Sequence, residues 1–400
     1  MVVVVRRLTV LLVLEAAESG TGRHLRTIAH EFCRRGVDVH VACATRRDPT
    51  FRAALDELRS AGAHVEEVDM GRKVRPFEDT LAILHLCRLF RRIRPDVIHL
   101  HNSKAGALGR IAAAFAGARA VVYSPHTFAF LDRSSTWRSR FFLLVEWALA
   151  PLTDHLVAVS ESGRELALRH HLAAPGRATA IPNGLDESLV AARPSRVEAE
   201  PGSRRGTIRL GFVGRLELQK APDRLVDLAA ELDRRGLEFE LEIIGAGSLL
   251  EVCERSSRER RLGARVQFLG RVDDPDPFYR SWDLFVIAST YEGLPYSVLD
   301  AMSWELPVVG FDVVGVNDLV VPGLTGYLAA PFRVVEMADH VMELAADPPR
   351  RLAMGRSGRE RVLSGFRLRQ QIGDLLDVYR RVATRQEAVE EDPAVASRDT

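Results

Sequence analysis

Short apolar runs of strand length alternate with longer stretches of helical periodicity along most of the chain, in two successive series. In the first, strand-like runs at 8–14, 37–43, 63–68, 96–100, 120–123, 154–159 and 177–181 are separated by helical patterns at 22–35, 51–60, 76–94, 105–117, 134–150 and 161–170. The second passes through strand-like runs at 208–213, 239–244, 265–269 and 284–288. Continuous apolar strands alternating with helices are what a parallel sheet covered on both faces requires. The expected fold class is α/β, and 400 residues exceed what one core usually supports, so two doubly wound domains are expected.

The break between the series falls at 191–206, where Pro, Gly and charge replace periodicity. This predicts an N-terminal domain over 1–190, a linker over 191–206, a C-terminal domain over 207–366, a final helix over 367–385 and a disordered tail over 386–400. Two such domains would face each other across a cleft at the carboxyl ends of their strands, where open α/β sheets bind ligands.

Residues 1–190 carry 26 Lys/Arg against 20 Asp/Glu, an excess that suits an anionic acceptor or a membrane surface but is too small for nucleic acid. Cys33, Cys43, Cys87 and Cys253 lack metal-like spacing and read as reduced core thiols of a cytoplasmic protein. The apolar start Val2–Val5 and Leu8–Leu14 is interrupted by Arg6 and Arg7, which reads as a buried strand rather than a signal peptide.

The segment Ser289-Thr-Tyr-Glu-Gly-Leu-Pro295 leaves a buried strand and places Glu292 at its carboxyl end, with Asp300 in the helix that follows. Paired carboxylates suggest glycoside hydrolysis, in which the two groups lie about 5–9 Å apart across one bond. Eight residues of helix rise about 12 Å and turn the two positions roughly 80° apart, so they suit two ends of one elongated ligand better. The alternative is a first-turn acid and a solvated helix residue.

Gly211-Phe-Val-Gly-Arg-Leu216 and Lys220 open the second domain. A turn at Gly214 lets backbone approach an anion, and Arg215 with Lys220 supplies charge-assisted donors for a diphosphate that gains charge as it leaves. Gly245 and Gly247 form another strand-to-turn pair, for a nucleotide or simply for the turn. Gly20, Thr21 and Gly22 follow the first strand, forming a loop for an acceptor or phosphate, but no third glycine makes a dinucleotide fingerprint. His126 follows a strand on the same expected side and reads either as a sugar ligand or as a packed histidine among Tyr123, Phe128 and Phe130. His99 and His101 read as structural, and no residue set reads as a metal site. From Arg133 to Leu152, arginines 133, 138 and 140 mix with Trp137, Phe141, Phe142, Leu143, Leu144 and Trp147, suiting either a membrane interface or packing onto the sheet.

As an ordered set, Gly20-Thr-Gly22, His101-Asn-Ser-Lys-Ala-Gly106, Pro125-His126, Val159-Ser160, Ile181-Pro-Asn-Gly184, Gly211 to Leu216, Lys220, Glu292-Gly-Leu-Pro295 and Asp300-Ala-Met302 resemble the retaining glycosyltransferases of family 4. The resemblance runs from Thr9 to about Tyr379 and implies the GT-B fold, with two Rossmann-like domains, the first on the acceptor side and the second binding the nucleotide sugar. It implies a C-terminal helix that returns to the first domain. Arg215 and Lys220, with amides around Gly293 and Leu294, would bind the donor diphosphate, Asp300 the ribose, and Glu292 and His126 the transferred sugar. It also implies a metal-independent hexosyltransferase without a cofactor, using a UDP- or GDP-linked sugar as co-substrate. The leaving phosphate would help deprotonate the acceptor.

The segments at 101–106 and 125–130 are most similar to members that extend lipid-linked saccharides in capsule, exopolysaccharide or lipopolysaccharide synthesis. The acceptor implied is a saccharide or a polyprenyl-diphosphate-linked saccharide, reached from the cytoplasm by peripheral contact with the inner face of the plasma membrane. Three positions depart from the family pattern: Asp300 for glutamate, and Ala221 and Glu305 for glycine. Two other functions use the same architecture, a sugar-nucleotide 2-epimerase that needs no acceptor and a non-catalytic nucleotide-binding protein.

Overall fold

The structure is a computed structural model that describes residues 7–15, 19–44, 51–71, 73–118, 120–132, 135–196 and 206–391. Outside these lie Val2–Val5, Arg133, residues 197–205 of the expected linker and residues 392–400 of the expected tail. The chain forms two compact units, Met1–Ile181 with Gln371–Thr400, and Pro182–Gln370.

The first unit holds seven parallel strands, β1 (Thr9–Leu14), β2 (Asp38–Cys43), β3 (His64–Glu67), β4 (Val97–His101), β5 (Val121–Ser124), β6 (His155–Ala158) and β7 (Ala178–Ala180). Their order is β3-β2-β1-β4-β5-β6-β7. The helices are α1 (Ser19–Arg34), α2 (Phe51–Ser60), α3 (Pro76–Ile93), α4 (Ser103–Ala116), α5 (Thr136–Leu149) and α6 (Glu161–Arg169). Right-handed crossovers put α1 and α2 on one face, and α3, α4 and α5 side by side on the other. Covered on both faces, β1 is buried from Val10 to Leu14, as its uninterrupted apolar run requires.

The second unit begins with α7 (Glu187–Ala192) and holds β8 (Ile208–Val213), α8 (Pro222–Arg234), β9 (Phe239–Ile244), α9 (Leu250–Glu259), β10 (Val266–Gly270), α10 (Asp276–Ser281), β11 (Leu284–Ile287), α11 (Tyr296–Ser303), β12 (Val308–Phe311), β13 (Gly326–Ala329), α12 (Val334–Ala346) and α13 (Pro348–Gly365). Its parallel sheet runs β10-β9-β8-β11-β12-β13. The described part of the expected linker is not free chain. Arg193 Nη2 lies 3.2 Å from the Asp276 carboxylate, and its guanidinium stacks over Trp304.

Helix α14 (Leu368–Glu391) ends the described chain and runs past residue 385, the expected end of helix, through the helix-forming Gln386-Glu-Ala-Val-Glu. From Gln371 it belongs to the first unit, where Tyr379 meets Phe32 of α1 edge-on at 5.6 Å. No described helix is long and apolar enough to cross a membrane.

Candidate functional site

In each sheet the strand order reverses once, between β1 and β4 in the first unit and between β8 and β11 in the second. The loops leaving neighbouring strands diverge there and open a crevice at their carboxyl ends. Arg215, Lys220 and Glu292 fall on the loops after β8 and β11, whereas Gly245 and Gly247 follow β9, His126 follows β5, and Gly20–Gly22 and Asp300 lie in α1 and α11.

In the second unit, the loops after β8 and β11 are laced together by Gln219. Its carbonyl accepts from the Thr290 amide at 2.8 Å, and its Nε2 donates to the Tyr291 carbonyl at 3.1 Å. Residues 72 apart are thereby brought together, and Lys220 Nζ donates to Glu292 Oε1 at 2.5 Å. Both side chains are largely withdrawn from water, 13% and 6% exposed. Arg215 lies on the same loop, Nη2 at 3.5 Å from Gln219 Oε1.

Glu292 precedes α11 rather than lying in it, and the first turn of α11 holds no acid, so Glu292 is not a first-turn acid. Its amide donates to the Val314 carbonyl at 3.0 Å, and Asn183 Nδ2 donates to the Leu294 carbonyl at 2.9 Å. The turn that carries Glu292, Gly293 and Leu294 is thus held from two sides. Asp300 is buried within α11.

The glycines divide by task. Gly214 makes the turn after β8. Gly211 lies inside β8, where a Cβ would fall 1.9 Å from the Trp282 ring. A Cβ on Gly245 or Gly247 would meet backbone of the β8 loop at 1.8 and 2.4 Å, so these two let the loops run side by side. Glu217 braces the pair by accepting from the Ser248 amide at 3.0 Å.

Two departures from the family pattern keep the backbone shape a glycine would take. Ala221 has φ +44° and Glu305 φ +56°, left-handed conformations costing roughly 1–2 kcal/mol for a residue with a Cβ. Glu305 is buried. Its Oε1 accepts from Arg359 Nη1 at 3.1 Å, and its Oε2 from the Arg196 amide at 3.0 Å and Ser195 Oγ at 3.1 Å.

In the first unit, Gly20, Thr21 and Gly22 are not a loop but the first turn of α1, which begins at Ser19, before the expected 22. One helical turn lower comes His24, and it meets His126 at 4.7 Å and His101 at 5.5 Å between ring centroids. His101 Nδ1 lies 3.1 Å from His126 Nε2, and the His99 ring lies 4.0 Å from that of His101. Beyond the array, His99 contacts Tyr379 Oη at 2.5 Å and Ser124 Oγ at 2.8 Å, and His24 Nδ1 lies 3.3 Å from Gln371 Nε2. His126 itself has φ +56°, strain of the kind stored at functional sites.

Sequence reading missed His24, and took His99 and His101 for isolated structural residues. They come from α1 and β4, and only the sheet order brings them to His126. Ring nitrogens of His24, His101 and His126 all lie within 4.8 Å of one another, close enough to converge on a cation. The side chains of Asp38, His40 and His64 at the sheet edge do likewise.

Burial, then the neighbouring imidazoles, hold His99, His101 and His126 well below the usual histidine range, and burial holds His155 at about 4. These rings are neutral hydrogen-bonding groups at neutral pH. The unfolded chain takes up protons below about pH 6.5 while the folded chain does not, so stability falls as pH drops from about 6.5 towards 4. Each ring contributes up to about 1.4 kcal/mol per pH unit in that window. Urea midpoints at about pH 7.5 and 5.5 should differ accordingly, and equal midpoints would contradict the neutral array.

The family model described as "Glycosyltransferase Family 4" matches residues 19–189, and that described as "Glycosyl transferases group 1" matches 194–361. The chain is 27% identical over 317 residues to the UDP-Gal:alpha-D-GlcNAc-diphosphoundecaprenol alpha-1,3-galactosyltransferase of Escherichia coli, covering 77% of this chain and 81% of that one. It is 25% identical over 346 residues to the capsular polysaccharide biosynthesis glycosyltransferase CapM of Staphylococcus aureus, covering 84% and 88%. Among solved structures, that of Anabaena Alr3699/HepE in complex with UDP and glucose aligns with a TM-score of 0.77 at 18% identity, covering 93% of this chain and 99% of that one.

Proposed function

The chain belongs to the family 4 glycosyltransferases of GT-B fold, its first unit matching the family 4 domain and its second the group 1 domain, and from that premise we propose that it moves a hexose from a UDP-sugar to a saccharide or lipid-linked saccharide acceptor, with retention of anomeric configuration. The observation that carries this reading is the buried Lys220–Glu292 pair, fastened at the switch point between β8 and β11.

Departure of a nucleoside diphosphate develops negative charge on its oxygens. Lys220 and Arg215 are the cations of the loop beside Glu292, and donors fixed in a water-poor site stabilise such charge without reorganising. Amides at Gly293 and Leu294 add to them at the head of α11, Asp300 takes the ribose hydroxyls, and Glu292 takes hydroxyls of the transferred sugar. His126 contributes a neutral imidazole to a sugar hydroxyl. The leaving phosphate oxygen accepts the acceptor's proton on the face from which it departs, so no protein base is assigned and Arg215 with Lys220 supplies the positive charge.

The Escherichia coli relative, named for a UDP-galactose donor and a diphosphoundecaprenol acceptor, and the Staphylococcus aureus relative, named for capsule synthesis, support a role in surface-polysaccharide assembly. NMR of the chain with UDP-hexoses, an acceptor and EDTA tests the reading. The expected product is an α-glycoside, with UDP released in step. A β-glycoside, loss of activity in EDTA, or conversion of the donor without acceptor would each overturn its part of the proposal, the last in favour of epimerisation.

A further inference from the structure

Helix α5 is built inside out. Of its 14 residues only Glu146 is buried, whereas Trp137, Phe141, Leu144 and Trp147 are 71%, 46%, 60% and 60% exposed. Their spacing, i, i+4, i+7 and i+10, draws one stripe down the outward side. Phe142 and Leu143, partly buried, pack against the core.

This orientation is enforced. Glu146 Oε2 accepts from Arg110 Nη2 at 2.7 Å and Oε1 from the Tyr123 hydroxyl at 2.7 Å. Arg110, itself 2% exposed, also donates from Nε to the Gly106 carbonyl at 2.8 Å and lies 4.2 Å over the Tyr123 ring. Rolling α5 to hide its aromatic residues would withdraw the carboxylate and leave a guanidinium buried without its counter-charge, a strongly unfavourable exchange. The fold therefore holds the aromatic stripe in the open.

What covers the stripe is indicated by its charge. Arg138 and Arg140 are exposed beside it, and the only acid of the helix is the buried Glu146. On the same helical layer, α3 exposes Phe77, Leu81 and Leu84 at 78%, 52% and 45%, followed by exposed Arg88 and Arg91. Tryptophan rings flanked by arginine match the boundary of an anionic bilayer, with the rings at the level of the headgroups and the guanidinium groups on phosphate. A second copy of the chain would set arginine against arginine.

We propose that the outward face of α5, together with the α3 stripe, docks on an anionic lipid bilayer. The proposal is independent of the donor site and is read without any turnover. Full-length protein is sedimented with phosphatidylglycerol/phosphatidylethanolamine vesicles and with phosphatidylcholine vesicles. Binding is expected to the former and to be weakened by salt. The triple variant Trp137→Ser, Phe141→Ser, Trp147→Ser should lower partitioning about a hundredfold or more. The double variant Arg138→Gln, Arg140→Gln should lower it about thirtyfold. Because all five side chains are exposed, unfolding temperatures should match the parent's. Parent-like partitioning of the triple variant overturns the proposal. So does light scattering that shows a parental dimer made monomeric by the triple variant, which would assign the face to a second copy.

Discussion

Glu292→Ala or Lys220→Ala is expected to lower the rate of sugar transfer by about a thousandfold, at the upper end of what removal of one preorganised charged group costs. The loss is larger than for a surface pair because each residue fixes the other. Lys220 Nζ is 2.5 Å from Glu292 Oε1 in a spot where both are nearly excluded from water. Alanine at either position removes one group that would face the donor and leaves its partner as an uncompensated charge. In initial-rate measurements the double variant should be little worse than either single one, since groups acting as a unit are strongly non-additive. Turnover within about tenfold of the parent in both single variants would remove this pair from the reaction.

Glu305→Ala is expected to destabilise the second unit by about 3–5 kcal/mol, the cost of breaking a buried charge pair from one side. Where family members have glycine, this chain places a carboxylate that satisfies Arg359, the Arg196 amide and Ser195 at once. Those three bonds offset the strain of a left-handed glutamate and fasten residues 195 and 196 to the body of the unit. Glu305→Gln keeps the side-chain shape and one accepting oxygen but turns a donor NH2 towards either Arg359 or the Arg196 amide, so it should restore only part of the lost stability. The departure from glycine is then a compensated exchange of backbone ease for a side-chain anchor. Urea midpoints of the two variants measured at constant m-value check this, and an alanine variant as stable as the parent would show the network idle.

The two sheets were legible because strands buried on both faces leave uninterrupted apolar runs. β12 and β13 were not read. Each is four residues long, one directly behind Pro307 and the other opening on Gly326, so turn signals mask them. Lys220 and Glu292 could be picked out singly, but not their bond, which depends on β8 and β11 being neighbours across a reversal of strand order. The histidine array was hidden for the same reason, being assembled from α1, β4 and the loop after β5. For α5, the apolar positions alone suited a core as well as a surface. The choice was made by the fit of Glu146 to Arg110, a pairing 36 residues apart that periodicity does not report.

The link between His99 and Tyr379 spans 280 residues, and that between His24 and Gln371 spans 347. All seven strands of the first unit have been synthesised by residue 180, yet the groups that close its histidine array are translated only after the second unit. The nascent first unit must therefore wait, with those polar rings unfinished, through the synthesis of the whole second unit. A messenger truncated before codon 371 would encode every described strand yet lack the groups that close the histidine array.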